Sequence, residues 1–512
     1  MKPYYKFYEE IDEDKLFKGL LAFGLFSEKI PNFLSSVKFF EYIKTKKFPY
    51  NDKKPTDYIR YSNMRNINIL RPLSIPDPFS YANQIEIIRQ NWTKIKEHFK
   101  TKSNNQNHKV SRIHIRNLYN KESLFEMNYK NFEDDGNPEN KLFIKNKYVV
   151  NVDISNCFPS IYSHSISWAL VGKNIAKQQS SKNFENEYFN QIDFYTRNLK
   201  FGETNGILIG PHSSSVISEI ILCCIDYELC ELGYKFYRNI DDYTCYTNSY
   251  AKAEKFIIEI TEELKKYELS LNSKKTKITK LPQASVTNWV SQLNHYYFKD
   301  EYHTINGKIG LKLSELRNFI DYSVKIMTEN DNNSAILNYM IKILSNKYLG
   351  SKAKEYYIDK IHHLVLLFPY LVLVLEKYIF QKHNISPEKI KEISEDLYEE
   401  GKIRKNYELC SYVIYFSLKY KFQLNQSISS QLKNDSIQSN DCIFLMLSYL
   451  YDKKYQNKKY LKEYKDLANN YYKDDFGRYW LFCYEVLTQN ELNNIYKDLK
   501  KNKVSFILNE FL

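Results

Sequence analysis

The sequence lacks several patterns that mark common classes of protein. Its eight cysteines include no Cys-x-x-Cys pair, and no pair of histidines lies near them at the spacing of a zinc site. Roughly the first twenty residues carry lysine and glutamate and no uninterrupted apolar core, so we expect no secretory signal. These absences argue against a secreted disulfide framework and predict a cytoplasmic protein with reduced cysteines.

Long hydrophobic runs are also scarce. The one long apolar run, Leu364 to Leu375, is too short to cross a bilayer and lies between His363 and Glu376. A buried helix with a kink at Pro369 explains this run better than a membrane segment does. We therefore expect no membrane partner.

The chain does have a positive charge and enough apolar residues for a packed core. Its formal net charge is +13 and 43% of its 512 residues are apolar, which predicts two or three domains. The charge is spread along the chain and suits a polyanionic partner. Codon bias in an AT-rich genome explains the excess of lysine, asparagine, isoleucine and tyrosine equally well.

The segment Tyr237 to Tyr246 places two adjacent carboxylates, Asp241 and Asp242, between two β-prone runs. Residues 236–240 and 243–247 predict two strands of a hairpin with the acids at its tip. Like charges repel at such a tip, whereas Mg²⁺ takes oxygen ligands and few protein groups. A solvated acidic turn is the commoner explanation of a lone Asp-Asp pair, so the interpretation depends on the rest of the chain.

A further carboxylate follows a β-branched run. Tyr148 to Asp153 predicts a strand that ends in an acid, and a helix to about Leu170 follows. A carboxylate at the end of a buried strand is costly unless it is paired or bound to metal. Phosphoryl transfer by two metal ions needs carboxylates from separate elements, and Asp153 with the pair at 241–242 would supply them.

A glycine-containing turn, Gly206 to Ser213, lies between these two features. Gly206 and Gly210 allow close approach of the backbone, and Pro211 favours a helix start before the apolar pattern from Val216 to Leu229. Such a turn can hold a phosphate or nucleotide, and a plain loop-to-helix junction explains it equally well. A Walker loop is excluded, because no Gly-Lys-Ser/Thr follows.

Two basic segments have the chemistry to contact phosphate. Val110 to Arg116 alternates apolar and polar residues, which predicts a strand whose exposed face carries Arg112, His114 and Arg116. The lysine-rich segment 274–277 follows a short predicted strand and could meet pyrophosphate. A solvated strand face and a solvated loop are the competing explanations.

From about residue 310 to Leu512 the strand signals fade and apolar residues recur at helical spacing. Ser386-Pro387 and Gly401 mark helix boundaries. The blocks follow no strict sequence period, and stacked helix pairs in a solenoid-like lobe explain them best.

Taken together and in this order, the motifs resemble the palm and fingers of reverse transcriptases. The resembling segments are residues 151–158 (first catalytic motif), 206–213 (nucleotide-and-template helix motif), 240–242 (Tyr-x-Asp-Asp box), 271–276 (lysine motif) and 71–76 (fingers). The resemblance covers about residues 60–300. It implies an α+β fold with reverse-transcriptase-like fingers and palm over residues 1–309, followed by an all-helical, HEAT-like domain over 310–512.

The resemblance also implies roles for individual residues. Asp153, Asp241 and Asp242 would hold two Mg²⁺ ions, with Mn²⁺ as the alternative, and the backbone carbonyl of Ile154 would help. Phe158 resembles the aromatic gate that clashes with a ribose 2′-hydroxyl, so deoxynucleotides are the expected substrates. The implied nucleotide-binding residues are Phe158, Gly210, Ser213, Lys275, Arg112 and Arg116, with Lys275 near the departing pyrophosphate.

The chain departs from that family at Asn239, where tyrosine is usual, and at Ile209, where many retroviral relatives carry glutamine. A palm joined to a long helical lobe resembles the abortive-infection reverse transcriptases of bacteria and prophages. This resemblance implies an oligomer that makes DNA from dNTPs without a template, attached to one of its own tyrosines, in defence against phage. Tyr4, Tyr5 and Tyr8 are convenient guesses for that tyrosine, because a mobile terminus could reach the site.

Two other functions compete with this one. The first is an RNA-templated reverse transcriptase of retron or group II intron type. The second is a catalytically inactive scaffold whose helical lobe binds a partner. The presence of Asp153, Asp241 and Asp242 argues against the scaffold, since an inactive palm has no need of three clustered acids.

Overall fold

A computed structural model describes residues 5–46, 53–66, 68–112, 115–116, 118, 122–124, 139–282, 288–299, 301–303, 309–456 and 459–512. Helices and small mixed sheets make up this part of the chain, which confirms the predicted α+β class. Within these ranges no helix is both long and apolar enough to cross a bilayer.

The N-terminal region combines helices with one β-hairpin. Its helices are α1 (Lys6–Glu9), α2 (Glu13–Phe23), α3 (Val37–Thr45), α4 (Pro78–Gln90) and α5 (Trp92–Thr101). Strands β1 (Tyr58–Met64) and β2 (Leu70–Pro76) pair antiparallel. The prolines of β2 disfavour a helix there, and α4 begins at Pro78, where the Asp77 carboxylate accepts hydrogen bonds from backbone N–H groups of the first turn.

A four-stranded antiparallel sheet lies at the centre of the next region. Its strands are β3 (Tyr148–Asp153), β4 (Lys235–Asn239), β5 (Asp242–Thr247) and β6 (Lys277–Lys280), in the order β4-β5-β3-β6. The predicted strand that ends at Asp153 is therefore confirmed, and so are both arms of the predicted hairpin. β3 and β5 are the two inner strands, and Asp242 at the start of β5 pairs with Asn239 of β4 and with Asp153 of β3.

Helices surround this sheet. They are α6 (Glu139–Leu142), α7 (Cys157–Ser160), α8 (Ser165–Val171), α9 (Lys173–Gln178), α10 (Tyr188–Asn198), α11 (His212–Glu231), α12 (Tyr250–Lys265) and α13 (Asn288–Asn294). Helix α11 packs against α5, α8 and α12, and most of its side chains are buried. It begins where the predicted glycine-containing turn ends, and it forms a fixed support beneath the sheet.

The later part of the chain is helical, as predicted. A small sheet of β7 (Glu301–His303), β8 (Ile309–Leu311) and β9 (Tyr348–Leu349) precedes and joins it. The helices are α14 (Leu313–Glu329), α15 (Ala335–Leu344), α16 (Ser351–Leu367), α17 (Val372–Val374), α18 (Pro387–Ile403), α19 (Tyr407–Tyr420), α20 (Gln426–Ser439), α21 (Cys442–Tyr455), α22 (Leu461–Asp474), α23 (Phe476–Val486) and α24 (Asn494–Lys501). Neighbours along the chain, such as α18 with α19 and α22 with α23, pack side by side.

The apolar run from Leu364 to Leu375 is broken at its proline. Helix α16 ends at Leu367, a 3₁₀ turn follows at Pro369–Leu371, and the chain continues through α17 into a π-helical turn at Leu375–Phe380. Proline has no N–H to donate and disfavours helical geometry in the preceding residue, so the α16 pattern cannot pass through it. The sequence predicts one helix kinked at Pro369, and the structure instead ends the helix just before that proline.

The C-terminal residues pack against the N-terminal region. The N–H of Ser35 donates to the carbonyl of Phe506 at 2.7 Å, and the N–H of Leu508 donates to the carbonyl of Phe33 at 2.9 Å. One hydrophobic core runs through both regions, and it crosses the predicted domain boundary between residues 309 and 310. That boundary falls within the small sheet, at the first residue of β8.

Candidate active site

The turn between β4 and β5 brings together carboxylates from two parts of the chain. Asp242 is the first residue of β5 and lies opposite Asp153, the last residue of β3. Asp241 lies in the turn, and its carbonyl oxygen accepts a hydrogen bond from the N–H of Ile154 at 3.3 Å. Backbone pairing therefore makes the three predicted acids and Ile154 neighbours, as two-metal phosphoryl transfer requires of the elements that carry its ligands.

Lys275 reaches the same acids from the loop before β6. Its Nζ lies 2.6 Å from Asp153 Oδ2, and Asn272 Nδ2 donates to Asp153 Oδ1 at 3.1 Å. The backbone N–H of Asn272 also donates to the Asp153 carbonyl at 2.8 Å, which ties the loop to β3. The side chain that the sequence predicted beside a leaving pyrophosphate thus lies at the carboxylates.

Burial and mutual repulsion disfavour full ionisation of this cluster. The pKa of Asp242 is raised to about 7, first because burial disfavours the carboxylate and then because the Asp241 charge and a hydrogen bond to Asp153 oppose ionisation. Burial also raises the pKa of Asp241. The two cations that act on Asp241, the guanidinium of Arg71 and the ammonium of Lys275, do not balance three carboxylates. This set of oxygen donors fits Mg²⁺ or Mn²⁺.

A buried guanidinium supports the turn. Arg238 in β4 is fully buried, and it donates to the carboxylate of Asp226 at 2.6–3.0 Å and to that of Glu219 at 3.2 Å. Its Nη1 also donates to the carbonyl of Ile240 at 2.7 Å. Ile240 has a φ of 58°, which is unfavourable for a β-branched residue. Arg238 therefore holds a strained turn, and that turn carries Asp241.

Sequence reasoning missed this supporting network. Glu219 and Asp226 lie two helical turns apart in the largely apolar α11, so they occupy the same face. Burial raises the pKa of Glu219 to about 7 and also raises that of Asp226. Two acids at this spacing on a buried helix were the available signal, but the sequence did not identify Arg238 as their partner.

The glycine-containing turn approaches the β2 strand very closely. Ile209 accepts a hydrogen bond from the N–H of Ser74 at 2.7 Å. Gly210 has a φ of 132°, and a Cβ on it would lie 2.7 Å from the Ser74 carbonyl oxygen. The close contact between these two backbone segments therefore explains why residue 210 is a glycine. Its predicted nucleotide contact stays a prediction.

The same turn is also hydrogen-bonded to the segment that contains Phe158, the predicted aromatic gate. The N–H of Ile207 donates to the carbonyl of Phe158 at 2.9 Å, and a Cβ on Gly206 would lie 2.6 Å from the Pro159 carbonyl oxygen. Phe158 itself is half-buried, in α7 four residues after Ile154. These contacts fix the backbone of Phe158 close to the acids.

Ser213 does not lie in an open cleft. It is fully buried in the first turn of α11. A direct contact between Ser213 and a nucleotide would require this packing to open, so its predicted nucleotide contact stays a prediction.

The predicted exposed basic row is wrong for two of its three members. Arg112 and Arg116 are each 2% exposed, and the Arg112 guanidinium lies 4.3 Å from the centre of the Tyr237 ring. The segment runs beside β4, where the N–H of Arg112 donates to the Arg238 carbonyl at 2.9 Å, so its polar positions face protein. His114 lies outside the described residues.

The tyrosines near the N-terminus differ in exposure. Tyr4 lies outside the described residues, and Tyr5 is half-buried just before α1. Tyr8 is 1% exposed, with its ring stacked on Phe99 at 4.4 Å and edge-on to Trp92. Tyr8 could act as an acceptor of nucleotides only if α1 left the core.

Comparison with known proteins adds a finding about this part of the chain. Residues 96–326 match the family model described as reverse transcriptase (RNA-dependent DNA polymerase). A reverse transcriptase domain is present. The matched residues of this reverse transcriptase domain include β3, the β4–β5 hairpin, α11 and Lys275. The domain is of the kind found in nucleotidyltransferases that make DNA from an RNA template.

Solved structures of telomerases are also similar to the chain. The apo telomerase from Candida tropicalis, truncated from its C-terminal domain, shares 14% sequence identity with this chain. The match covers 45% of this chain and 51% of the telomerase, with a TM-score of 0.30. The Candida albicans telomerase in complex with a TWJ fragment of telomeric RNA shares 10% sequence identity with this chain. That match covers 83% of this chain and 70% of the telomerase, with a TM-score of 0.31. The chain thus spans about half of the truncated telomerase. None of the curated proteins matches it.

Proposed function

We propose that the protein is a Mg²⁺-dependent DNA polymerase of reverse transcriptase type, with Mn²⁺ as the alternative ion. The observation that carries this proposal is the adjacency of Asp153, Asp241 and Asp242 inside the reverse transcriptase domain. Asp153, Asp241, Asp242 and the carbonyl of Ile154 would hold the ions. Bound there, the ions would neutralise the triphosphate and lower the pKa of the attacking hydroxyl.

The protein's own residues would position the reacting groups. A 3′-hydroxyl, or first a tyrosine hydroxyl, would attack the α-phosphate of a deoxynucleotide, and pyrophosphate would leave. The Lys275 side chain lies beside Asp153, where it would stabilise charge on the departing pyrophosphate. Phe158, whose backbone is fixed by Ile207, would exclude a ribose 2′-hydroxyl. Alignment and charge neutralisation thus supply the catalysis.

The finer part of the proposal is synthesis without a template, primed by a tyrosine of the protein, in abortive-infection defence against phage. It is supported by a reverse transcriptase palm joined to a long helical lobe, which resembles the reverse transcriptases of that class. The product would be single-stranded DNA attached to the protein, and the active form would be a homo-oligomer.

A second candidate function is RNA-templated synthesis of the retron or group II intron type. The description of the matching family as an RNA-dependent DNA polymerase favours it. In this case the C-terminal lobe would guide a template and primer, and the protein would carry no covalent DNA.

One experiment separates the two functions. The purified full-length chain is incubated with dNTPs and Mg²⁺ and without nucleic acid. Self-priming predicts a ladder of products that protease digestion collapses, and mass spectrometry then finds deoxynucleotides on tyrosine. Strict dependence on an added template and primer supports the second candidate. Absence of DNA synthesis under both conditions would contradict the polymerase proposal itself.

A further inference from the structure

A second cluster of side chains with metal-binding chemistry lies between α5 and α11, apart from the acids. His98 Nε2 lies 3.3 Å from Cys223 Sγ and 3.7 Å from Cys224 Sγ. All three atoms lie within 4.8 Å of one another. We call these residues the His98–Cys223–Cys224 cluster. Sequence spacing did not reveal it, because His98 lies 125 positions before Cys223.

These separations are close to those between the ligands of a single tetrahedral ion. Zinc binds thiolate sulfur at about 2.3 Å and imidazole nitrogen at about 2.0–2.1 Å, so at tetrahedral angles the two ligand atoms lie about 3.5 Å apart. The two observed sulfur-to-nitrogen distances fall on either side of that value. Little movement of the side chains is needed to place one ion between them.

We propose that His98, Cys223 and Cys224 bind one soft divalent cation, of the zinc class, independently of the carboxylates. Two thiolates and an imidazole form a donor set that prefers zinc over magnesium. On binding, the Cys223 and Cys224 thiols each release a proton to solvent and each forms a sulfur–metal bond. The imidazole stays neutral, since its remaining proton moves to Nδ1 when Nε2 binds the ion.

The hydrogen-bond contacts of the cluster show which interactions a bound ion would replace. His98 Nε2 lies 2.9 Å from the carbonyl oxygen of Ile220, and Cys223 Sγ lies 3.3 Å from the same oxygen. A bound ion would replace the proton that lies between His98 Nε2 and the Ile220 carbonyl oxygen. Cys223 and Cys224 are buried, whereas His98 is half-buried, so an ion would reach the thiols from the His98 side. Three protein ligands leave a fourth position for water.

The position of the cluster along α11 gives the site a structural consequence. Cys223 and Cys224 lie between Glu219 and Asp226, the two acids that bind Arg238. An ion there would tie α5 to the helix that supports the catalytic turn. The bound ion would therefore stabilise the native chain, since the ligands of the unfolded chain are not preorganised.

Metal content and absorbance of the full-length chain test the proposal. The protein is stripped with EDTA, kept in excess Mg²⁺ to occupy the carboxylates, loaded with Zn²⁺ and dialysed. We expect about one zinc per chain, and, with Co²⁺ in its place, a sulfur-to-cobalt charge-transfer band in the near ultraviolet. Cys223→Ser and Cys224→Ser should each lose the band and most of the zinc.

Cys230→Ser is the matched control, because Cys230 lies on the same helix outside the cluster. It should bind zinc like the unsubstituted chain. Zinc should also raise the unfolding temperature of Cys230→Ser and of the unsubstituted chain, and it should leave that of Cys224→Ser unchanged. His98→Asn removes a half-buried ligand and tests the site if a serine variant fails to fold. A substoichiometric zinc content in the unsubstituted chain, or cobalt binding without the sulfur-to-cobalt band, would overturn the proposal.

Discussion

At the residue scale, Asp241 is the side chain whose loss has the clearest expected effect. Asp241→Asn keeps the size of the side chain and removes one charge from the carboxylate cluster. We expect DNA synthesis to fall by about a thousandfold or more. The variant lacks a carboxylate that would hold the metal ions, and those ions would neutralise charge in the transition state. Incorporation of labelled dNTPs measures this.

Asp466→Asn is the control, because Asp466 is an exposed acid on α22 far along the chain. It should synthesise DNA at the rate of the unsubstituted protein. Thermal unfolding should show that both variants are folded. Incorporation by Asp241→Asn at the unsubstituted rate would remove the catalytic role of the acids.

Lys275 provides a second prediction at this scale. Lys275→Ala removes the ammonium that lies 2.6 Å from Asp153 and that would meet pyrophosphate. We expect kcat to fall about a hundredfold while KM for dNTPs changes little, because the charge is needed mainly as pyrophosphate departs. Lys274→Ala, at the exposed neighbouring position, should behave like the unsubstituted chain. A change confined to KM would assign Lys275 to substrate binding alone.

At the scale of elements, the β4–β5 hairpin depends on the buried Arg238. A lysine there keeps the charge and cannot donate to Asp226, Glu219 and the Ile240 carbonyl together. We expect Arg238→Lys to lower the free energy of unfolding by about 3 kcal/mol. We also expect kcat to fall about tenfold, since Asp241 lies in the turn that Arg238 holds.

Arg404→Lys is the matched control for that variant. Arg404 pairs with Glu400 on the surface of the helical lobe, so the exchange should change neither stability nor kcat measurably. Denaturant unfolding and steady-state kinetics provide the two readouts. If Arg238→Lys lost stability and retained full kcat at low temperature, Arg238 would be a structural residue without influence on the acids.

The same elements show how far the sequence could predict the site. The strand ending at Asp153, the hairpin and Lys275 were predictable because local patterns and motif order specify them. The burial of Arg112 was not, because its alternating segment packs along β4, a contact between distant parts of the chain. The His98–Cys223–Cys224 cluster escaped prediction for the same reason.

At the scale of the whole molecule, Glu408 joins the helical lobe to the N-terminal hairpin. It lies in the first turn of α19, and its carboxylate accepts hydrogen bonds from the Asn63 side chain at 2.5 Å and the Met64 N–H at 2.6 Å. Sequence reasoning separated these regions into two domains and did not predict their contact. Burial raises the pKa of Glu408 to about 7.

This shift predicts a dependence of stability on pH. Below about pH 4.5 Glu408 is protonated in both the folded and the unfolded chain, so its titration does not change the free energy of unfolding. As pH rises towards 7 the unfolded chain ionises first, so the folded chain loses stability, and above 7 the loss is complete. Glu408→Gln removes this titration. The free energy of unfolding of Glu408→Gln, relative to that of the unsubstituted chain, should rise by up to about 3 kcal/mol between pH 5 and pH 8.

Glu399→Gln, at an exposed position of α18, should show no such difference. Urea unfolding at several pH values measures both variants. A difference for Glu408→Gln that stayed constant with pH would show that Glu408 does not titrate in this range.

The pairing of Ser35 with Phe506 and of Phe33 with Leu508 has a consequence for biosynthesis. A ribosome makes the segment around Phe33 hundreds of residues before the segment that covers it. The nascent chain therefore completes its N-terminal core only after the late segment has left the exit tunnel.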